Sequence, residues 1–194
     1  MSPQSRVTRT TRETDIDLTL ELDGRGQAEI STGIPFFDHM LQLFAAHGYF
    51  DLTLKATGDL EVDQHHTVED VGICLGQALR HALAQRPGVR RYGSARVPMD
   101  EALAQVTVDL SNRPYLHFQV ELPPGGAGLD PQLLKEFWRA VSVHGGITLH
   151  IEVPYGENTH HIMEAVFKAA GRALDEATRP EPRAQGVPST KGML

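Results

Sequence analysis

Gln64-His65-His66-Thr67-Val68-Glu69 and Thr159-His160-His161-Ile162-Met163-Glu164 are two copies of one short pattern, His-His-x-x-Glu. Each copy runs directly into a stretch whose apolar residues have helical spacing. On a helix the glutamate follows the histidines by three and four positions, which places it on their side of the helix. Adjacent histidines nevertheless diverge by about 100° at ~3.6 residues per turn. We therefore expect each doublet to serve two metal ions, with two such helices facing each other.

The composition is that of a globular chain. Of its 194 residues 40% are hydrophobic, which is enough for a substantial core. The net charge of −7 argues against a general nucleic-acid-binding surface. Ten histidines are present, and four of them lie in the two doublets. The single cysteine, Cys74, allows neither an internal disulfide nor a thiolate metal cluster, which fits a reducing compartment.

Nothing in the sequence predicts insertion into a membrane. No run approaches the ~18–20 consecutive apolar residues of a membrane span. The first residues, MSPQSRVTRTTRETD, contain no apolar run typical of a signal peptide. We expect a soluble protein of the cytoplasm.

Periodicity predicts strands and helices in alternation along the first half. Residues 6–23 are interpreted as a strand region, because polar and apolar residues alternate strictly within it. A turn at Asp23-Gly24 would join it to a second strand around Gln27–Ile30 as a hairpin. A helix opening near Ile34, a short strand at Phe50–Lys55, a polar strand and the helix of the first doublet then follow.

The second half repeats this plan at nearly constant offsets. Adding 88 sends Glu13 to Glu101, and adding 97 sends His39 to Glu136. Adding 95 sends the first doublet and its glutamate to the second. Such matches in unchanged order predict an internal duplication.

We expect the two halves to form one α/β (α+β) domain, with helices packed between or against antiparallel or mixed sheets. The offset of 95 also sends Thr53-Leu54 to Thr148-Leu149. The C-terminal segment is rich in Pro and Gly, which excludes regular structure there. The predicted divisions are a first half-repeat at 1–93, a second at 94–180 and a tail at 181–194.

The duplication turns a recurring motif into a hypothesis of two metal sites related by a pseudo-twofold axis. One such motif alone has a simple alternative, a polar helix start in solvent, but its recurrence at equivalent positions favours ligation. Imidazole and carboxylate donors without thiolate suit Mn, Fe, Co or Zn. The model groups His39, His66, Glu69 and His161 in one site, and His65, Glu136, His160 and Glu164 in the other. Which doublet histidine binds which metal stays open.

Nine short motifs follow one another along nearly the whole chain. They are TRET within Thr10–Thr14, GIPFFDHML at 33–41, HHTVED at 65–70, RYG at 91–93, PMDEAL at 98–103, DLSNRPYL at 109–116, TLHI at 148–151, HHIMEA at 160–165 and STKG at 189–192. In these motifs the chain closely resembles the imidazoleglycerol-phosphate dehydratase family of histidine biosynthesis. The resemblance implies a duplicated fold with helices sandwiched between two sheets. It also implies homo-oligomers of twenty-four subunits that share metal sites, with manganese as the usual metal.

The family reaction removes water from imidazole glycerol phosphate to give imidazole acetol phosphate. The departing proton lies on a carbon with no carbonyl beside it. Two cations flanking the substrate imidazole would favour the imidazolate and stabilise a diazafulvene-like intermediate. This reaction would therefore explain why a site of this kind holds two metal ions.

The resemblance also implies roles for individual residues. The positions that match the family's metal ligands are His39, His65, His66, Glu69, His160, His161 and Glu164. The chain departs from the family at Glu136, where members carry His. Glu136 is kept as a candidate ligand because a carboxylate can bind a hard divalent ion. Glu13 matches the candidate proton shuttle, and the catalytic candidates are Glu13, Glu69 and Glu164. Besides Glu13, the substrate-binding candidates are His39, His65, Arg91, Arg113, Ser189, Thr190 and Lys191.

The last three of these residues lie in the tail, which has no core role. Its ordering on the substrate phosphate would explain the segment, and Thr190 keeps the hydroxyl of the family's usual Ser-Ser-Lys-Gly. Three further histidines, His47, His144 and His150, are interpreted as structural or supporting residues.

Two other functions remain open to test. A dimetal hydrolase would use the same ligands to activate water, but it gives no reason for an imidazole-sized opening between the metals. A non-catalytic metal-binding protein would take up metal without turnover, and it leaves the candidate phosphate-binding arginines without a role.

Overall fold

Two four-stranded sheets with four helices between them make up the part of the chain that the computed structural model describes, residues 3–86, 88–123 and 128–183. The elements are β1 (Gln4–Thr10), β2 (Thr14–Glu21), β3 (Ala28–Ser31), α1 (Pro35–Gly48), β4 (Asp51–Gly58), α2 (His65–Ala84), β5 (Tyr92–Met99), β6 (Ala102–Asp109), β7 (Tyr115–Gln119), α3 (Pro131–Gly145), β8 (Thr148–Tyr155) and α4 (Thr159–Thr178). The second six elements repeat the first six in type and order. None of these helices is long and apolar enough to cross a membrane.

The two sheets share one mixed topology. Their strand orders are β1-β2-β4-β3 and β5-β6-β8-β7. In each sheet the last pair, β3–β4 or β7–β8, is parallel and the others are antiparallel. Alternation in β2 puts Ile16, Leu18 and Leu20 on the core face at 1% exposure each. The sheets therefore have one packed face, which receives the helices, and one open face.

The helices begin where the sequence supplies start signals. Pro35 and Pro131 occupy the first helical positions of α1 and α3, where no intrahelical N–H bond is lost. Asp130 caps α3 by accepting from the amide of Gln132. Asn158 caps α4 by accepting from the amides that follow it, which belong to the second histidine doublet. These caps fix the doublet at the N-terminal end of its helix.

The helices pair across the two halves, α1 with α4 and α2 with α3. Glycines allow the close approach: a Cβ on Gly171 of α4 would lie 2.4 Å from the Phe44 carbonyl of α1. A Cβ on Gly76 of α2 would lie 2.8 Å from the Val141 carbonyl of α3. The pairing gives both halves one common core, and it decides which site residues meet.

The β2–β3 hairpin that we expected is wrong. β1 and β2 form the hairpin, and β3 lies parallel to β4 on the far side of the sheet. The Asp51 carboxylate holds the connecting loop there by accepting from the amides of Arg25 and Gln27 at 2.8 and 2.9 Å. The polar strand expected before the first doublet is a turn instead.

The strand register also corrects one repeat offset. In the first sheet Leu18 lies opposite Leu54, and in the second sheet Val106 lies opposite Ile151. Since Val106 is the repeat partner of Leu18, Leu54 corresponds to Ile151 at an offset of 97. The offset of 95 assigned to Thr53-Leu54 is therefore two residues short, because local alternation looks the same after a shift of two.

Candidate metal centre and active site

Three predicted ligands meet where α1 packs against the start of α4. The Glu164 Oε1 atom lies 3.0 Å from Nε2 of His39 and 2.9 Å from Nε2 of His160. One ligand atom from each residue lies within 4.8 Å of the other two. Both histidine side chains are nearly half exposed, whereas Glu164 is buried. The group is thus open to solvent on the imidazole side and anchored on the carboxylate side.

The electrostatics of Glu164 suit a ligand. Burial alone would raise its pKa, but hydrogen bonds from Lys168, His39 and His160 outweigh burial and lower the pKa to about 2. The hydrogen bond from Lys168 lowers the pKa most, and its Nζ atom lies 2.6 Å from Glu164 Oε2. Glu164 is therefore a carboxylate at neutral pH with its lone pairs directed at cationic or donor groups.

The two doublets diverge as the helical geometry predicts. The rings of His65 and His66 have centroids 6.1 Å apart and planes at 82°. His160 and His161 give 6.1 Å and 81°. In each doublet only the first histidine faces the glutamate on its own helix, four residues on.

The second histidine of each doublet faces carboxylates at the strand ends. His66 Nδ1 lies 3.0 Å from Asp59 Oδ2, and Glu13 Oε2 lies 3.8 Å away. His161 Nδ1 lies 2.7 Å from Glu101 Oε2. The hydrogen bond to Asp59 raises the pKa of His66, and that to Glu101 raises the pKa of His161.

A carboxylate behind Nδ1 fixes the imidazole ring and directs Nε2 away from the helix. Metal-binding histidines have this arrangement. The sequence reasoning missed Asp59 and assigned no role to Glu101. The repeat offset of 88, which pairs Glu101 with Glu13, was the available signal for the latter. Lys168 was missed as well, although its position four residues after Glu164 on a helix predicts contact between the two side chains.

The predicted grouping of ligands into two sites needs correction. His39 lies with His160 and Glu164, not with the residues of the first doublet. The reason is the pairing of α1 with α4, which periodicity alone does not reveal. By pseudo-symmetry the corresponding group on α2 and α3 is His65, Glu69 and Glu136.

This second group is less closely assembled. His65 Nε2 lies 3.6 Å from Glu69 Oε2. Glu136 Oε2 instead lies 2.6 Å from Arg139 Nη2, one helical turn away, although the angle is not that of a hydrogen bond. Within the described residues only the group with Glu164 has its ligand atoms together.

The candidate phosphate-binding arginines lie far from the Glu164 group of their own chain. Arg91 Nε donates to Asp109 Oδ1 at 2.7 Å, and Arg113 Nη2 lies 3.8 Å from Asp109 Oδ2. The Arg91 amide donates to the carbonyl of Ala177, near the C-terminal end of α4. Glu164 lies 13 residues earlier on that helix, about 20 Å away at ~1.5 Å per residue. The other predicted contacts, Ser189, Thr190 and Lys191, lie outside the described residues.

The three histidines interpreted as structural or supporting residues have different surroundings. Burial lowers the pKa of His47, and the positive charges of Lys168 and Arg172 lower it further. His144 lies in the last turn of α3. His150 packs against His117 on β7, with ring centroids 5.1 Å apart. None of the three belongs to the group around Glu164.

Fold and site together define an internally duplicated α+β protein with a candidate histidine–glutamate metal centre at its helix N-termini. A family model described as imidazoleglycerol-phosphate dehydratase matches residues 32–174. The chain belongs to the imidazoleglycerol-phosphate dehydratase family.

Curated relatives and solved structures agree with this assignment. The imidazoleglycerol-phosphate dehydratase of Acetivibrio thermocellus is 60% identical over 100% of both chains, and that of Geobacillus kaustophilus is 56% identical over 100% of both. The structure of the Pyrococcus furiosus enzyme in complex with (S)-C348 is similar with a TM-score of 0.86 and 43% identity, covering 97% of this chain and 100% of that one. The Staphylococcus aureus enzyme gives 0.84 and 38%, covering 92% and 99%.

Proposed function

We propose that this chain dehydrates imidazole glycerol phosphate to imidazole acetol phosphate in histidine biosynthesis, as a carbon–oxygen lyase. Family membership supports the reaction class and the substrate. The observation that carries the proposal is the convergence of His39, His160 and Glu164 at the α1–α4 contact. We place the enzyme in the cytoplasm, because its one cysteine, Cys74, is a buried free thiol.

The donor set fits Mn²⁺, and we propose two ions per chain. Two imidazoles and an ionised carboxylate, without sulfur, suit a borderline-to-hard divalent ion. One ion is assigned to His39, His160 and Glu164, and the second to their repeat partners Glu136, His65 and Glu69. When bound, the metals would stabilise negative charge on the substrate imidazole. We further assign to these ions the Nε2 atoms of His66 and His161, supplied by a neighbouring subunit.

The chain's own residues then hold the substrate and move its proton. Glu13 is the proposed proton shuttle: its side chain is 53% exposed and lies 3.8 Å from the ring of His66. An exposed carboxylate within reach of the first doublet can exchange protons with a bound ligand. Arg91 and Arg113 would bind the phosphate through charge-assisted hydrogen bonds, with the tail residues Ser189, Thr190 and Lys191 closing over it.

A complete site in this proposal requires more than one subunit. The arginines and the Glu164 group lie at opposite ends of α4, about 20 Å apart, farther than a small phosphorylated imidazole spans. A neighbouring copy can present its arginines to this chain's metal ligands. We therefore propose a homo-oligomer with shared sites, of twenty-four subunits as the family resemblance implies.

The direct test is turnover by the metal-reconstituted protein. Purified chain with Mn²⁺ should form the ketone product, and bound metal should approach two ions per chain by elemental analysis. Glu164→Gln should lose metal and activity together. Glu176→Gln, a matched change later on α4 in a side chain that pairs with Arg90, should retain both.

The other two functions have distinct outcomes in this assay. An assembled protein with its full metal complement but no dehydration would contradict the proposal and leave metal storage. Hydrolysis of phosphate esters or amides, without the ketone product, would instead identify a dimetal hydrolase.

A further inference from the structure

We propose that Thr14 and Asp70 form a clamp that positions Glu13, an inference that rests on the function proposed above. Asp70 directly follows Glu69 on α2, and Thr14 directly follows Glu13. The Thr14 hydroxyl donates to Asp70 Oδ2 at 2.5 Å. Both residues are buried, with 4% and 7% exposure. One hydrogen bond therefore ties the turn that carries Glu13 to the helix that carries the first doublet.

The hydrogen bonds around Thr14 form a chain with one direction. The amides of Glu13 and Thr14 donate to Thr11 Oγ1 at 3.0 and 2.9 Å. That hydroxyl lies 3.2 Å from Thr14 Oγ1, and it donates there because the proton of Thr14 goes to Asp70. A carboxylate only accepts, so the chain runs from the turn amides to the helix. Arg9 Nε, 2.9 Å from Asp70 Oδ1, supplies the neighbouring positive charge.

The second half of the fold shows that this clamp is not needed to hold a strand on a helix. Ala102 and Ala165 stand at the repeat positions of Thr14 and Asp70, and both are fully buried at 1% and 0% exposure. The same β-strand-to-helix contact is therefore made there by apolar packing. A buried polar pair in one half and alanines in the other indicate a role beyond holding the fold together.

Glu101 and Glu13, which are repeat partners, are held in different ways. Glu101 is tethered directly: its Oε1 accepts from the amides of Glu157 and Asn158 at 3.1 and 2.8 Å, and its Oε2 from His161. Across residues 3–86, 88–123 and 128–183, the Glu13 carboxylate has no hydrogen bond, and its one ion pair is with His66 Nδ1 at 3.8 Å.

This difference suits a proton shuttle. A carboxylate that exchanges protons with a substrate must keep its oxygens available, so it cannot be fixed by hydrogen bonds to them. It can be fixed through its backbone instead, by anchoring the two amides and the hydroxyl beside it. Thr14 and Asp70 are positioning residues in this sense, since neither touches the reacting atoms.

Removal of the Thr14 hydroxyl tests the clamp. Thr14→Val keeps the side-chain shape but removes the donor to Asp70. We expect kcat to fall by about tenfold or more while KM changes less than about twofold, because displacement of a catalytic group weakens the chemical step rather than substrate binding. Thr14→Ser keeps the hydroxyl and should recover most of kcat. Thr10→Val removes a matched threonine–aspartate bond, Thr10 to Asp15, on the exposed side of the same hairpin, and should leave kcat unchanged.

A second variant separates positioning from stability. Arg9→Val/Thr14→Ala/Asp70→Ala installs the residues that the second half uses at these positions (Val97, Ala102 and Ala165). Replacing a buried ion pair with apolar residues is often neutral for stability, so its melting temperature and Mn²⁺ content should match the wild type while kcat stays low. Native kcat in this variant, or in Thr14→Val, would overturn the clamp.

Amide hydrogen exchange gives a readout that does not depend on turnover. In Thr14→Val the amides of Glu13 and Thr14 should exchange at least about tenfold faster, with the rest of the hairpin unchanged. Unchanged protection at both amides would overturn the proposal. A wild-type protein without dehydratase activity would instead contradict the proposed function. In that case the exchange rates alone would decide whether the Thr14–Asp70 bond fixes the turn that carries Glu13.

Discussion

Glu164 illustrates how one residue acquires its chemistry from its neighbours. Burial alone would make its carboxylate a weaker acid, but Lys168, His39 and His160 reverse the sign of the effect and lower its pKa to about 2. A divalent ion would replace part of this set of donors. Lys168, which lies on the same helix, is the donor that can remain beside the carboxylate when His39 and His160 turn to a metal.

Cys74 gives a pH prediction at the residue scale. Burial raises the pKa of its thiol from 9.0 to about 11. Between these values an unfolded thiol loses its proton and the folded one keeps it, so the unfolded state binds fewer protons. Stability from this group is therefore fully present below about pH 9 and is lost as the pH rises towards 11.

Urea unfolding at pH 8, 9.5 and 10.5 checks this. The free energy of unfolding should fall more steeply with pH in the wild type than in Cys74→Ala, which lacks the thiol. Equal slopes would show that Cys74 titrates alike in both states.

Arg139 bears on the candidate ligand Glu136. Its guanidinium lies 2.6 Å from Glu136 Oε2, so it competes with any cation at that carboxylate. Arg139→Gln should strengthen Mn²⁺ binding at half of the sites by up to about fivefold, the range of a partly exposed ion pair. Calorimetric titration would resolve the two classes of site. If Glu136 is not a ligand, both Arg139→Gln and Glu136→Gln should leave the titration unchanged.

At the scale of elements, the crossing of α1 with α4 sets the distance between His39 and Glu164. A Cβ on Gly171 would meet the Phe44 carbonyl at 2.4 Å, so Gly171→Ala should push the helices apart and cost about 1–3 kcal/mol of stability. Weaker metal binding should accompany the lower melting temperature.

The other helix pair supplies the control. A Cβ on Gly145 in α3 would lie 3.5 Å from the Gly76 carbonyl, an ordinary contact. Gly145→Ala should leave melting temperature and metal content nearly unchanged. Equal effects of the Gly145 and Gly171 substitutions would contradict the crossing argument.

The elements also show what the sequence can and cannot predict. Alternation identified β2, and helical spacing identified α1, α2 and α4, because each pattern is local; α3 was predicted from the repeat. The offsets of 88 and 97 predicted the duplication and paired Glu13 with Glu101. The pairing of α1 with α4 is not local, since an apolar stripe on a helix does not specify its partner. For this reason His39 was grouped with His66, Glu69 and His161 instead of with His160 and Glu164, and Asp59, whose contact with His66 depends on a turn, was missed.

At the scale of the whole molecule, the position of the arginines is the unusual feature. Arg91 and Arg113 are held beside Asp109, at the far end of the β6 strand from Glu101 and the second doublet. A single chain therefore carries the two halves of the proposed site at opposite ends. Repeated contacts between copies would bring each end to its complement, and the duplicated fold gives every chain two sets of proposed metal ligands for this purpose.

Mixed assemblies test the shared site. Glu164→Gln removes a proposed metal ligand, and Arg113→Ala removes a proposed phosphate contact, so homogeneous assemblies of either variant should be inactive. If each site takes Glu164 from one subunit and Arg113 from another, random co-assembly in equal amounts should leave about a quarter of the sites intact. Co-expression with two affinity tags, tandem purification and measurement of kcat per chain would check this. Activity no higher than that of the separate variants would mean that both groups come from one chain, and the chain would then have to bend far from the structure described above.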